Sequence, residues 1–264
     1  MSKIHFIGGE KGGVGKSVLS RLLAQYHIDN GHAFTAFDTD RSHGAMLRFY
    51  GDYSRPISLD RFESADELVE AAVDAPAPRN IIVDLASQTA LPLFRWIDQN
   101  DLLGLTAEEG IPVLFWHVMD DGADGLALLQ RLLNQCGDGA SYVVVRNHGR
   151  GKDFSALDVS PTRTAAETLG AAFIDLPELH APTMRKVDHL NASFWAAVQN
   201  KASGLGLMER QRVKVWTRKA YAQFDALGSL LLDRPQSQTQ QTISPPAFVE
   251  GAQSDLIADD SGTA

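Results

Sequence analysis

The chain has 264 residues, 24 Lys and Arg against 33 Asp and Glu for a formal charge of −9, 44% apolar and 22% charged residues, and a single cysteine, Cys136. This balance suits a globular protein with a sizeable core and excludes fibrous and wholly disordered classes. One cysteine excludes an intrachain disulfide framework and any cysteine-paired zinc or iron–sulfur site built within one chain, and it suits a reducing compartment. The first residues carry no apolar stretch of secretory length, and the most apolar run, Ile111 to Met119, is too short to span a bilayer, so a cytoplasmic protein is expected. The acidic balance, taken alone, disfavours a nucleic-acid partner.

In chain order, short runs rich in Val, Ile and Phe predict strands at Lys3–Gly8, Ala33–Asp38, Asn80–Leu85, Ile111–Met119, Ser141–Arg146 and Ala171–Leu176. Their nearly continuous apolarity suits strands buried on both faces. Helices are predicted at Lys16–Asn30, at Ala65–Asp74 behind a capping box Ser64-x-x-Glu67, at Leu91–Asn100 and at Ala123–Gln135. Strands alternating with helices imply parallel pairing through right-handed crossovers, an α/β fold with helices on both faces and ligands bound beyond the carboxyl ends of the strands.

From Ala192 to about Leu232 the pattern predicts a long helix, with Val213, Trp216, Ala220, Phe224, Leu227 and Leu231 on one stripe. The domain thus spans residues 1–233, including this helical segment at 192–232. Residues 234–264 are dominated by Gln, Ser, Thr, Pro and Asp, which predicts a disordered acidic tail, with a short docking motif around Ala247–Val249 as the alternative.

The strongest motif is Lys11-Gly12-Gly13-Val14-Gly15-Lys16-Ser17, directly after the first strand and opening the first helix. Glycines let backbone N–H groups turn inward on phosphate oxygens, and the helix N-terminus adds its positive dipole end. The expected nucleotide contacts are Gly12, Gly13, Val14, Gly15, Lys16, Ser17 and Val18. Lys16 is placed to neutralise charge on the β- and γ-phosphates, and the Ser17 hydroxyl to ligate magnesium. Glu10 stands where the ordinary loop has its first glycine.

With its extra lysine, this loop resembles that of the ParA/MinD ATPases, and the resemblance covers about residues 1–230. It implies a P-loop NTPase-type sheet, ATP and Mg2+ as ligands, and a homodimer with ATP sandwiched between subunits, in which Lys11 reaches the partner's phosphates. It also implies that Asp40, in Asp38-Thr39-Asp40, orients the attacking water while Asp38 supports the magnesium shell. Asp84, ending Ile81-Ile82-Val83-Asp84, is implied as a further magnesium carboxylate, although Leu85-Ala86-Ser87 follows where many relatives carry D-x-P-P. Asn147 and the Pro177 loop match the positions that meet adenine.

Cysteine arithmetic removes the nitrogenase iron protein and CxxC carrier branches, and Cys136 reads as structural. The C-terminus lacks the amphipathic membrane helix of the MinD branch, so no membrane partner is expected. His5, His27 and His117 show no metal-ligand spacing and read as structural. Lys3-Ile4-His5-Phe6, Leu22-Leu23-Ala24-Gln25-Tyr26, Arg212-Val213-Lys214-Val215 and Phe224-Asp225-Ala226-Leu227 resemble ParA-like ATPases of plasmid conjugation and mobilisation, the TraL/MobD type.

Residues 201–220 hold six bases against one acid, whereas 235–264 hold four acids and no base. The global charge therefore averages over opposite regions and leaves a polyanionic partner open. Arg210, Arg212, Lys214, Arg218 and Lys219 form a candidate DNA-binding face; a merely solvated helix face is the alternative. Non-specific DNA or a relaxosome- or partition-type protein is the implied partner. Competing functional readings on the same loop are a phosphotransferase, an ATP-dependent ligase, and a nucleotide-gated interaction module that hydrolyses poorly.

Overall fold

The computed structural model describes residues 1–40, 44–74 and 77–232. The chain runs β1 (Lys3–Gly8), α1 (Lys16–Asp29), β2 (Phe34–Asp38), α2 (Ala45–Phe49), β3 (Ser54–Pro56), α3 (Phe62–Ala65), α4 (Glu67–Val73) and β4 (Asn80–Asp84). It continues through α5 (Ala90–Gln99), α6 (Leu102–Glu108), β5 (Val113–Met119), α7 (Ala123–Cys136), β6 (Ser141–Asn147), α8 (Ser155–Asp158) and α9 (Pro161–Thr168). It closes with β7 (Ala172–Leu176), α10 (Ala181–His189), α11 (Phe194–Gln199) and α12 (Leu207–Ala226). All seven strands pair in parallel in the order β3-β2-β4-β1-β5-β6-β7.

The continuous apolarity of the strands resolves into two cores, because alternate residues of a strand face opposite ways. Leu114, Trp116 and Val118 of β5 join Val143 and Val145 of β6 beneath α1, α10, α11 and α12. Val113, Phe115 and Met119 join Tyr142 and Val144 beneath α4, α5, α7 and α9. Cys136 is buried in the second core, and burial pushes its thiol up to about 12, so it behaves as a packing residue.

Every predicted strand forms, within two residues at each end. The edge strand β3 escapes the sequence pattern because it is three residues long, polar, and ends in proline. The capping box at Ser64 does not form. Ser64 lies inside α3 and its Oγ accepts from Ser58 N (3.1 Å), while α4 starts behind Asp66 with no side-chain cap. The segment 192–232 is two helices, not one. Gly204 (φ +78°) and Gly206 separate α11 from α12, and the Glu209 carboxylate accepts from Gly206 N (2.7 Å) to open the second. Residues 234–264, expected to be a disordered tail, lie outside the described residues.

The three histidines, His5 in β1, His27 in the last turn of α1 and His117 in β5, are buried packing groups held neutral. His27 is fully buried with neither ring nitrogen hydrogen-bonded, stacked on Phe34 (5.6 Å) and edge-on to His32 (5.7 Å). Burial drives its pKa well below the usual value, and brings His5 and His117 down to about 4. The unfolded chain therefore binds more protons. Stability is fully present above about pH 6.5 and is lost as pH falls toward about 4. Urea midpoints measured at about pH 7.5 and about pH 5 should show this loss, and His27→Phe, which keeps the ring and removes the proton site, should lose less. An equal loss in wild type and variant would overturn this assignment.

Candidate functional site

The site lies beyond the carboxyl ends of β1, β2 and β4. Gly9 leaves β1 at φ +130°, and a Cβ there would stand 2.6 Å from the Val118 carbonyl oxygen. The close approach that requires glycine thus falls at position 9. That is why Glu10 is tolerated after it, its carboxylate turned outward to Arg131 of α7 (3.5 Å). Gly13 (φ +81°) and Gly15 (φ +105°) complete the turn into α1. Gly15 is doubly constrained, since a Cβ there would stand 2.2 Å from Asn147 Nδ2.

One pocket of about 240 Å3 is lined by Gly13, Gly15, Lys16, Ser17, Val18, Asp38, Asp40, Asp84, Ser87 and Arg150 among others. Loop, helix start and all three predicted aspartates are thereby brought together. The Lys16 ammonium is buried beside the loop, donating to the Lys11 carbonyl (3.1 Å) and to Ser87 Oγ (3.4 Å). Burial lowers its pKa and the neighbouring Asp84 opposes that.

Asp84 is 3% exposed and its Oδ1 has no hydrogen-bond partner among the described residues. Burial, then repulsion from Asp38, pushes its carboxyl up to about 7, against the pull of the Ser17 and Ser20 hydroxyls. A buried carboxylate oxygen left without a partner beside a serine hydroxyl fits a hard divalent cation. Among the described residues no group of three His, Cys, Asp or Glu offers a closed cage, so a cation held by Ser17 and Asp84 would keep places for phosphate oxygens and water.

Asp38 is placed differently from a free ligand. Its Oδ1 accepts from Asp40 N (3.0 Å) and its Oδ2 from Met46 N (2.8 Å) and Leu47 N (3.5 Å), so it organises the turn that carries Asp40 and the start of α2. Thr39, unmarked in the sequence reading, stitches the two aspartate segments. Its Oγ1 donates to the Asp84 carbonyl (3.0 Å) and accepts from Ala86 N (2.7 Å).

Lys11 is turned away from the pocket, paired with Asp120 (2.9 Å) and Asp124 (3.8 Å) of its own chain. Asn147 and Pro177, expected at adenine, lie outside the pocket. The Asn147 amide is committed to the loop, Nδ2 donating to the Val14 carbonyl (2.6 Å) and Oδ1 accepting from Gly149 N (3.0 Å). The Pro177 carbonyl accepts from Trp216 Nε1 of α12 (2.6 Å). On that helix Arg212, Lys214, Arg218 and Lys219 are exposed, whereas Arg210 is half-buried and donates to the Leu205 carbonyl (2.8 Å), so it belongs to the helix start rather than the open face.

No model of a known protein family matches the chain. It is 27% identical over 246 residues to the protein TraL of Escherichia coli, an alignment covering 87% of this chain and all of that one. It is 25% identical over 179 residues to the protein MobD of Acidithiobacillus ferrooxidans, covering 67% of this chain and 78% of MobD. In fold it is similar to the MinD cell division protein of Aquifex aeolicus (14% identity, 84% of this chain and 97% of that one, TM-score 0.50). A chain of the MinC:MinD complex from that organism gives a TM-score of 0.53 at 13% identity, covering 84% of this chain and 96% of that one. Over most of its length the chain is thus similar in sequence to TraL and MobD, and its parallel α/β sheet with helices on both faces is similar in fold to the MinD structures.

Proposed function

We propose that the chain is a magnesium-dependent ATPase switch that serves plasmid transfer, partition or a related cargo. The observation that carries this reading is the convergence of Lys16, Ser17, Asp40 and the unpartnered Asp84 oxygen on one pocket under a glycine loop at a helix N-terminus. Backbone N–H groups and Lys16 hold the phosphates, and Ser17 and Asp84 hold the cation, whose charge offsets that of the transferring phosphoryl group. Asp40, fixed by the Asp38 turn, positions the attacking water. Chemistry of this kind is positioning and charge stabilisation rather than covalent catalysis.

Assembly supplies the switch. Lys11 rests on Asp120 at a half-exposed ion pair, a contact that is readily exchanged. In the ATP-bound dimer it leaves Asp120 for the partner's phosphates, so that hydrolysis depends on pairing. The exposed bases of α12 then face DNA or a partner protein. The membrane has no part in this reading, and no helix among the described residues is long and apolar enough to cross one.

Lys16→Ala should weaken ATP binding roughly 10- to 100-fold, the scale of one lost charge-assisted contact. Lys11→Ala should keep binding but lose ATP-induced dimerisation and turnover, read by light scattering and phosphate release. A Lys11→Ala protein that dimerises and hydrolyses like wild type would sink the sandwich.

Because Asp84 carries a raised pKa, its proton competes with the cation up to about pH 7. Mg2+ should therefore promote ATP binding more strongly at about pH 8 than at about pH 6, and Asp84→Asn should flatten that dependence. The same slope in both proteins would remove Asp84 from the cation site.

For the basic face, Arg212→Glu, Lys214→Glu and Arg218→Glu together should abolish the salt-sensitive, ATP-dependent DNA binding of the full chain. Unchanged binding would show the face to be merely solvated.

A further inference from the structure

We propose that Arg150 is a phosphate-binding residue of this pocket, held at its wall by a turn that Asn147 fastens to the glycine loop. The inference rests on the nucleotide reading above and adds to it a residue that neither the motif nor the resemblance supplied.

Arg150 lies three residues beyond the end of β6, in a turn whose backbone is tied at both flanks. Arg150 N (2.9 Å) and Gly151 N (3.0 Å) both donate to the Asn147 carbonyl. Lys152 N (2.7 Å) and Asp153 N (3.3 Å) donate to Asp121 Oδ2 in the loop after β5. At Gly151 a Cβ would stand 2.5 Å from Asp121 N, so the turn is pressed directly on that loop's backbone. The Asn147 amide links the same turn to the Val14 carbonyl of the glycine loop. Turn and phosphate loop therefore share one anchor, and the position of Arg150 is fixed relative to Lys16 and Ser17.

The neighbouring bases are committed elsewhere. Arg146 is paired with Asp175 (2.7 Å) and Asp158 (3.5 Å), and Lys152 with Glu178. Arg150 has no ion pair or hydrogen bond through its guanidinium among the described residues, and it lines the pocket with Lys16, Asp38, Asp40 and Asp84. Charge balance favours its use there. The pocket lining carries Asp38, Asp40 and Asp84 beside a single buried lysine, and Lys11 is turned onto Asp120, so a further cation at the wall favours a polyphosphate there. A guanidinium stays charged at any working pH and matches phosphate oxygens in a two-pronged geometry. Its pocket neighbours are the residues assigned to the cation and to the attacking water, so its charge acts on the terminal phosphate of a triphosphate.

The test uses the full chain with Mg2+ and methylanthraniloyl-labelled ATP and ADP, together with single-turnover phosphate release. Arg150→Ala should weaken ATP roughly 10- to 100-fold, and ADP by clearly less. Arg150→Lys should recover part of the loss, and Lys152→Ala, one bend further along the turn, should resemble wild type. Asn147→Ala should lower ATP affinity as well, and combined with Arg150→Ala should cost less than the two losses multiplied, because the second change removes what the first displaces. Wild type binding neither nucleotide would overturn the nucleotide reading and this inference with it. Wild type binding and hydrolysing ATP while Arg150→Ala matches it would overturn this inference alone, as would an equal loss for ATP and ADP.

Discussion

The site depends on a single hydrogen bond from outside the loop it shapes, Asn147 Nδ2 to the Val14 carbonyl at 2.6 Å. A loop that turns through positive φ at Gly9, Gly13 and Gly15 has given up most side chains with which it could hold its own form, and glycine costs more order on folding than any other residue. Two contacts compensate. The Val14 side chain is 2% exposed in the core beneath the loop, and its carbonyl is gripped by the end of β6. Replacing Gly15 would displace that amide, so the glycine is needed both for its dihedral and for the space its missing Cβ leaves. A donor facing an inward carbonyl leaves the loop's N–H groups free for phosphate, which is the polarity an anion site requires.

Much of this was legible in the sequence because it is local. The strands declare themselves through unbroken apolar runs, and the loop through glycines placed between a strand and a helix. What escaped is information carried by tertiary contacts or by weaker caps. Ser160, whose hydroxyl caps α9 at Arg163 N with Pro161 next in line, is an ordinary start signal that apolar periodicity does not carry, and the Ser193 hydroxyl caps α11 at Ala196 N. The pattern Ser64-x-x-Glu67 misled for the converse reason. The serine found a backbone partner at Ser58, and the chain broke between α3 and α4 at Asp66. Asn147 stands at the end of β6, and its amide holds the loop. The family pattern gives its position, and only the packing of β6 against the loop shows where its amide is spent. Arg150 carries no motif at all, and its relation to the pocket exists only because two separate loops fasten the turn that bears it.

The carboxylates show the same division between position and environment. Asp38 and Asp84 end the neighbouring strands β2 and β4, with their Cα atoms in register. Parallel pairing thus places two acids side by side at the site's floor. Left alone they would repel, and the fold separates their tasks. Asp38 is covered by three backbone N–H groups, which oppose the effect of its burial, whereas burial and the nearby Asp38 raise the pKa of Asp84 against the serine hydroxyls, and one of its oxygens has no partner among the described residues. One acid is spent on structure and the other is kept poor in donors, the condition under which a cation is the most favourable neighbour.

The basic helix is joined to this machinery by two bonds rather than by proximity. Trp216 Nε1 of α12 donates to the Pro177 carbonyl just beyond β7, and Gln223 Oε1 accepts from Asp175 N on the outer edge of the same strand. The pair satisfies backbone groups that an edge strand would otherwise leave open, and so fixes how α12 lies across the end of the sheet. The β7 strand in turn pairs with β6 from Val143 to Asn147, the residue that holds the phosphate loop. Hydrogen-bonded backbone therefore runs without a break from that loop to the helix bearing Arg212, Lys214, Arg218 and Lys219. Those four exposed charges stand on the flanks and back of the helix, around the stripe of Val213, Trp216, Ala220 and Phe224 that anchors it.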